Sequence, residues 1–281
     1  MLTPWASTRI TVTRLGRKCP GPERPPAERN TRARAAPGRA GLGSIEMSDD
    51  QPITSSRDGD VAIVRMDDGK ANALSHASID ALNAALNAAE RYTRSVVLVG
   101  RPGRFCAGFD LSVINAGPAE MQALVRRGGE LAVRLFMFPR PVVAACTGHA
   151  LAAGAIILMA SDHRVGAQGA FKIGLNEVSI GLPLPIFLTE LAQQRLSRRH
   201  LTGATMLAQI FEPDTALDAG FLDEVVEPDA VESTAIERAQ HFAATLNQRA
   251  FAASREPLRG PVAERIASTM TSDVAKFFVD R

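Results

Sequence analysis

The sequence predicts an α/β fold, and three observations carry that reading. Short β-rich apolar runs alternate with stretches whose apolar residues recur at helical spacing. Two of the runs, Ser95 to Val99 and Pro141 to Cys146, are almost wholly apolar, the pattern of strands covered on both faces. Only short turns link strands to helices, which suits right-handed crossovers in a layered architecture.

The elements follow in chain order. Residues 1–46 stand apart: they carry Pro4, Pro20, Pro22, Pro25, Pro26 and Pro37, nine Lys or Arg and three acids, with little hydrophobic periodicity. This reads as a disordered basic extension. A transit peptide, a basic tail or a start assigned too early would each produce it. The early start is favoured, because Met47 opens well-behaved sequence and the proline density is too high for an amphipathic targeting helix. Residues 47–195 are expected to form the core with the ligand site, and residues 196–281 a helical C-terminal region used for oligomer contacts.

Within the core, Val61 to Met66 is a strand ending at the turn Asp67-Asp68-Gly69. Ser75 caps a helix with Ile79, Leu82, Leu86 and Ala89 on one face. Pro118 opens another with Met121, Leu124, Val125, Leu131, Leu135 and Phe136, expected to be interrupted at Gly128-Gly129. A small helix starts near Ala153, and Asp162 to Val165 reads as a strand. Beyond residue 183 helical patterns dominate: Pro185 to Leu196, Arg198 to Ala208, Pro213 to Ala219, Asp229 to Leu246 and Pro261 to Val279, with a strand at Phe221 to Val226.

Composition excludes several classes. The net charge of the whole chain is +2, but the segment after residue 46 holds 23 basic and 27 acidic residues. A mildly acidic body argues against a nucleic-acid binder. No apolar run approaches bilayer length. Three cysteines, Cys19, Cys106 and Cys146, have neither metal-ligand spacing nor the look of a disulfide framework, so a reducing compartment, the cytoplasm, is expected. No Gly-rich dinucleotide fingerprint follows a strand.

The chemistry-bearing stretches are Lys70-Ala71-Asn72-Ala73-Leu74, Phe105-Cys106-Ala107-Gly108-Phe109-Asp110-Leu111, Gly148-His149-Ala150-Leu151-Ala152-Ala153-Gly154 and Ile173-Gly174-Leu175-Asn176-Glu177. Small residues let a backbone approach a ligand, and free N–H groups there can hold a developing negative oxygen. Two such donors and one carboxylate are a minimal kit for moving a proton beside a carbonyl. His149 and His163 read first as structural histidines, His76 as an exposed residue near the Lys70–Leu74 stretch, and Cys106 as a small buried residue rather than a nucleophile.

In this order the four stretches resemble the crotonase (enoyl-CoA hydratase/isomerase) superfamily over about residues 53–281. The resemblance implies a crotonase-like spiral of ββα units with a helical C-terminal region, trimers or dimers of trimers, acyl-CoA thioester substrates, a place in fatty-acid β-oxidation and no cofactor beyond the coenzyme A of the substrate. It assigns CoA contacts to Lys70, Ala71, Ala73, Leu74, Phe105, Asp110 and Leu111. It assigns the oxyanion donors to the backbone N–H groups of Ala107 and Ala153, the second at a position where the family usually has glycine. Hydratases of the family carry two glutamates; one matches Glu177, but the other matches Ile156. The remaining pattern is similar to the one-glutamate Δ3,Δ2-enoyl-CoA isomerases, with Glu177 as base in an acyl pocket that includes Ile156 and Leu182. A hydratase using Glu177 alone, and an acyl-CoA binder without turnover, are the alternatives.

Overall fold

A computed structural model of the chain describes residues 52–275, so the extension 1–46 lies outside the described residues. β1 (Ile53–Asp58) and β2 (Val61–Met66) form an antiparallel hairpin, and β3 (Ser95–Val99), β5 (Val142–Cys146), β7 (His163–Ala167) and β10 (Glu224–Val226) continue it. The sheet runs β1-β2-β3-β5-β7-β10 and is parallel from β2 onward. Side chains alternate across it. Val64, Val96, Leu98, Val142 and Ala144 join the large core with Ile79, Leu82 and Leu86 of α1 (His76–Tyr92). Ile63, Val97, Val143 and Val165 face the other way, onto Val231, Ala235 and Ala239 of α8 (Val231–Thr245). Covering both faces accounts for the unbroken apolar character of β3 and β5.

A second, smaller sheet is made of β4 (Gly103–Cys106), β6 (Gly148–Leu151), β8 (Ile173–Gly174) and β9 (Ile210–Phe211), in the order β4-β6-β8-β9. The chain passes repeatedly from the large sheet to the small one: β3 to β4, β5 to β6, β7 to β8. After β4 it returns through α2 (Leu111–Ile114) and α3 (Pro118–Phe136), and after β6 through α4 (Ala153–Ala160). The first turn of this spiral carries only Leu74, which bridges in parallel to Phe109 before α1 begins. The motifs read as loops in the sequence are therefore second strands of ββα units, two to four residues long.

Two glycine positions decide the spacing. A Cβ on Gly148 would lie 2.1 Å from the Gly103 carbonyl carbon, and one on Gly154 would lie 2.2 Å from the Cys106 carbonyl oxygen. Both are impossible contacts, so glycine is what lets β6 and α4 lie against β4.

Beyond α5 (Ile186–Arg195) come α6 (Arg198–Ala204), α7 (Pro213–Ala219) and α9 (Gln248–Val274). Two expectations are corrected here. α3 is not interrupted at Gly128-Gly129; it runs unbroken because both glycines make room for rings from elsewhere. α9 starts at Gln248, well before Pro261, capped by the Asn247 side chain, which accepts from the N–H groups of Arg249 and Ala250 at 3.1 Å. It passes through Pro257 and Pro261, so tertiary contacts override the local cost of proline. Those contacts include a buried ion cluster: Asp162 accepts from Arg255 and pairs with Arg259 at 3.0 Å, while both guanidinium groups donate to the Phe136 carbonyl at 2.6 and 2.8 Å. The cluster clamps α9 onto α3 and the end of α4. Among the described residues, no helix is long and apolar enough to cross a membrane.

Candidate active site

The spiral brings three of the motifs around one cavity of about 110 Å³. Its wall includes Ala107, Gly108 and Phe109 from the β4–α2 turn, Ala152 and Ile156 from the start of α4, and Asn176, Glu177, Ile180 and Leu182 from the segment after β8. Met121 and Val125 of α3 and Phe187 and Leu188 of α5 complete it, and Leu111 and Ile114 stand at the more exposed side.

Glu177 is placed by a local reversal. It precedes a 3₁₀ turn, Val178–Ile180, and its carbonyl accepts from the N–H groups of Ile180 and Leu182 at 3.0 Å. Gly181 closes the turn at φ +83, a conformation glycine adopts without steric cost. The chain thus folds back, and Ile180 and Leu182 return to the cavity that Glu177 lines. The Glu177 residue is only 6% exposed, and its Oε2 has no hydrogen-bond partner among the described residues. Burial pushes its carboxyl up to about 7 from an ordinary 4.5, offset in part by its own backbone N–H. Beside it, Asn176 Oδ1 is likewise buried and unpartnered. Ile156, 3% exposed, lines the same cavity from α4.

The two turns that meet at the cavity differ in what their amides do. Ala107 N–H donates to the Ala71 carbonyl at 3.0 Å. That corrects the expectation of a free donor at Ala107: the amide is engaged in holding the Lys70–Leu74 segment. Two residues on, Leu74 N–H donates to the Gly108 carbonyl at 2.8 Å and Asp110 N–H to the Leu74 carbonyl at 2.9 Å. In a parallel bridge of this kind the intervening residue, Phe109, points its own N–H to the opposite side. Among the described residues no acceptor takes it. Sequence reasoning missed Phe109 because only the pairing partner, Leu74, reveals which amides of the turn are in use.

Across from it, Ala153 is the first residue of α4, so its N–H has no intrahelical acceptor. Ala153 is 1% exposed and does not itself line the cavity; the preceding Ala152 does. Ala152 sits at φ +49, ψ −113, a conformation L-residues rarely adopt. A Cβ on Gly108 would lie 3.2 Å from the Ala152 Cβ, so the two turns touch at these positions.

The other expected ligand residues are scattered. Ala71 and Ala73 are half-buried, Leu74 is buried and Lys70 is exposed. They surround Asn72, which holds φ +53 and donates from Nδ2 to the carbonyls of Met66 (2.7 Å), Arg104 (3.2 Å) and Phe105 (3.3 Å). Asn72 Oδ1 accepts from Asp68 N–H at 3.0 Å. Asn72 thus pins this segment to β2 and β4, a role the sequence pattern did not reveal. Phe105 is fully buried and does not line the cavity. Asp110 caps α2, accepting from Ser112 N–H at 2.8 Å and Ser112 Oγ at 2.7 Å, and these bonds hold its carboxyl below the usual range. Leu111 is 69% exposed at the cavity's edge. His149 accepts from Lys172 N–H through Nδ1 at 2.9 Å and packs edge-on to Phe171, a structural arrangement. Cys106 and Cys146 are buried, and burial pushes both thiols up to about 12, away from nucleophilic use.

Comparison with known proteins agrees with this architecture. A family model described as enoyl-CoA hydratase/isomerase matches residues 56–277. The human mitochondrial enoyl-CoA delta isomerase 1 is 29% identical over 222 residues, covering 77% of this chain and 73% of the relative. The apo structure of the Mtb enoyl-CoA isomerase is 42% identical, with a TM-score of 0.76, covering 80% of this chain and 99% of that one. An enoyl-CoA hydratase from Mycobacterium marinum is 40% identical, with a TM-score of 0.76, covering 81% and 100%.

Proposed function

The chain belongs to the enoyl-CoA hydratase/isomerase family, and on that premise we propose that it is an isomerase shifting the double bond of a 3-enoyl-CoA thioester to the 2-position, with Glu177 as its single base. The observation that carries this reading is the cavity's polarity. Among the described lining residues Glu177 is the one carboxylate, buried and unpartnered, while Ile156 lines the same cavity.

The thioester oxygen is received by the N–H groups of Phe109 and Ala153, the latter at the positive end of α4. Polarisation there acidifies the proton on C2. Glu177 takes that proton, leaving a dienolate whose negative charge rests on the oxygen between the two amides, and returns it at C4. No atom is gained or lost. Each amide donor is worth about 3 kcal/mol to such a step. A carboxyl near 7 suits a group that must both accept and release a proton at neutral pH. The proposal includes a cytoplasmic setting in fatty-acid breakdown and assembly as a trimer or dimer of trimers.

The second reading, hydration, is favoured by one observation: the unpartnered Asn176 Oδ1 beside Glu177 is an acceptor that a bound water could satisfy. Replacing Glu177→Gln tests the role of the base. Turnover of a 3-enoyl-CoA should fall by about a thousandfold, while affinity for a saturated acyl-CoA should stay within about threefold of the parent. Retained turnover would remove Glu177 from the mechanism.

A further inference from the structure

The dimensions of the cavity limit what can be bound in it. Its inner wall is built from one stripe of α3. Met121 and Val125 present their side chains to the cavity, and one turn on, Gly128 and Gly129 present none. A Cβ on Gly128 would lie 2.3 Å from the Phe109 ring, and one on Gly129 would lie 3.1 Å from the Phe187 ring and 2.7 Å from the terminal methyl of Met270 in α9. The absence of these side chains lets the Phe109 and Phe187 rings pack against α3, and Phe187 lines the α3–α5 end of the cavity beside Met121 and Val125. Met121, Val125, Phe187 and Leu188 are all buried, so this end has no outlet lined by exposed residues. The exposed lining residues are Ala107, Leu111 and Ile180.

The cavity, which is open on its exposed side, has a volume of about 110 Å³. An apolar cavity of about 150 Å³ holds a benzene ring. On that scale the space accommodates about four to six carbons, and the thioester carbonyl must use part of it, since Gly108, Phe109 and Ala152 belong to the same wall.

Resting on the function proposed above, we infer that this enzyme is built for short-chain acyl thioesters, of about four to six carbons, with the length limit set by Met121, Val125 and Phe187. Longer tails meet the closed wall and must either leave the cavity past Leu111 and Ile180 or remain outside it.

The test measures the affinity of the full-length protein for saturated acyl-CoA thioesters from acetyl to dodecanoyl by calorimetry, which does not depend on turnover. Affinity should rise about three- to fourfold per methylene up to the limit, then fall by at least about tenfold between hexanoyl and dodecanoyl. Met121→Ala, which removes side-chain volume from the wall, should move the break by one to two carbons towards longer chains. Val125→Leu, which adds a methylene and preserves burial, should move it the other way. If either variant is unstable, the other still reads the wall. Affinity that climbs steadily through dodecanoyl, or a break that neither variant moves, overturns the inference. A sharp break without isomerase turnover at any length would uphold the short pocket and overturn the catalytic reading. No binding at any length would overturn both.

Discussion

Ala107 donates its backbone N–H to the carbonyl of Ala71 at 3.0 Å, and this bond takes the Ala107 amide out of the free donors of the β4–α2 turn. With Ala107 engaged and the Phe109 N–H turned away from the Leu74 bridge, the donor used in the proposed mechanism is displaced by two residues from the expected one. The same bond ties the Lys70–Leu74 segment to the turn, so the expected CoA border and the turn proposed to bind the thioester oxygen are one hydrogen-bonded unit.

Asn72 holds that unit together, which leads to the first prediction. Asn72→Ala removes donors to three carbonyls and an acceptor for Asp68 N–H, and places alanine at φ +53. The loss should be about 2–4 kcal/mol in denaturant unfolding. Where the protein still folds, the KM for acyl-CoA should rise more than kcat falls.

The second prediction concerns Ala152 at the cap of α4. Its φ of +49 with ψ −113 strains an L-residue and suits glycine. Ala152→Gly should therefore stabilise the protein by about 1 kcal/mol after the added unfolded-state entropy is subtracted. A thermal melt should rise by about 2–4 °C. The opposite sign would mean the strain is absent.

The third prediction is the pH dependence of stability. The folded Glu177 carboxyl lies near 7, above its ordinary 4.5, so the folded state holds this proton more tightly than the unfolded chain. Its contribution is fully present below about 4.5 and is lost as pH rises through 7. The penalty accumulated across that window is about 3 kcal/mol. Glu177→Gln has no such titration. Its stability advantage over the parent should thus grow between pH 5 and pH 8, and equal pH profiles for the two proteins would contradict the burial of this carboxyl.

The fourth prediction is kinetic. Proton removal needs the ionised carboxylate, so kcat/KM should rise with pH to a plateau along a limb centred near 7 rather than near 4.5. A profile flat from pH 5 upward would contradict a base whose carboxyl is raised to about 7.

Legibility followed the range of the interactions. α1, β2, β3 and β5 could be read because apolar periodicity and a Ser75 cap are local signals. β4, β6 and β8 could not: strands of two to four residues rich in glycine and alanine resemble loops until non-local partners pair with them. Gly128-Gly129 and Pro261 misled for the same reason. Each breaks a local rule, and the compensation comes from distant groups: the rings of Phe109 and Phe187 in one case and the Asp162 clamp on α9 in the other. At the site, Glu177 and Ile156 were legible as a pattern of residue types. The engagement of the Ala107 amide was not, because the sequence carries no record of which amide a neighbouring carbonyl takes.

The most direct test of the single-carboxylate account is product analysis on one preparation given, separately, a 3-enoyl-CoA and the 2-enoyl-CoA of the same short chain. The account predicts interconversion of the two double-bond isomers with no change in mass, abolished in Glu177→Gln. Accumulation of a hydroxyacyl-CoA, heavier by one water, from the 2-enoyl substrate at a rate matching or exceeding isomerisation would contradict it.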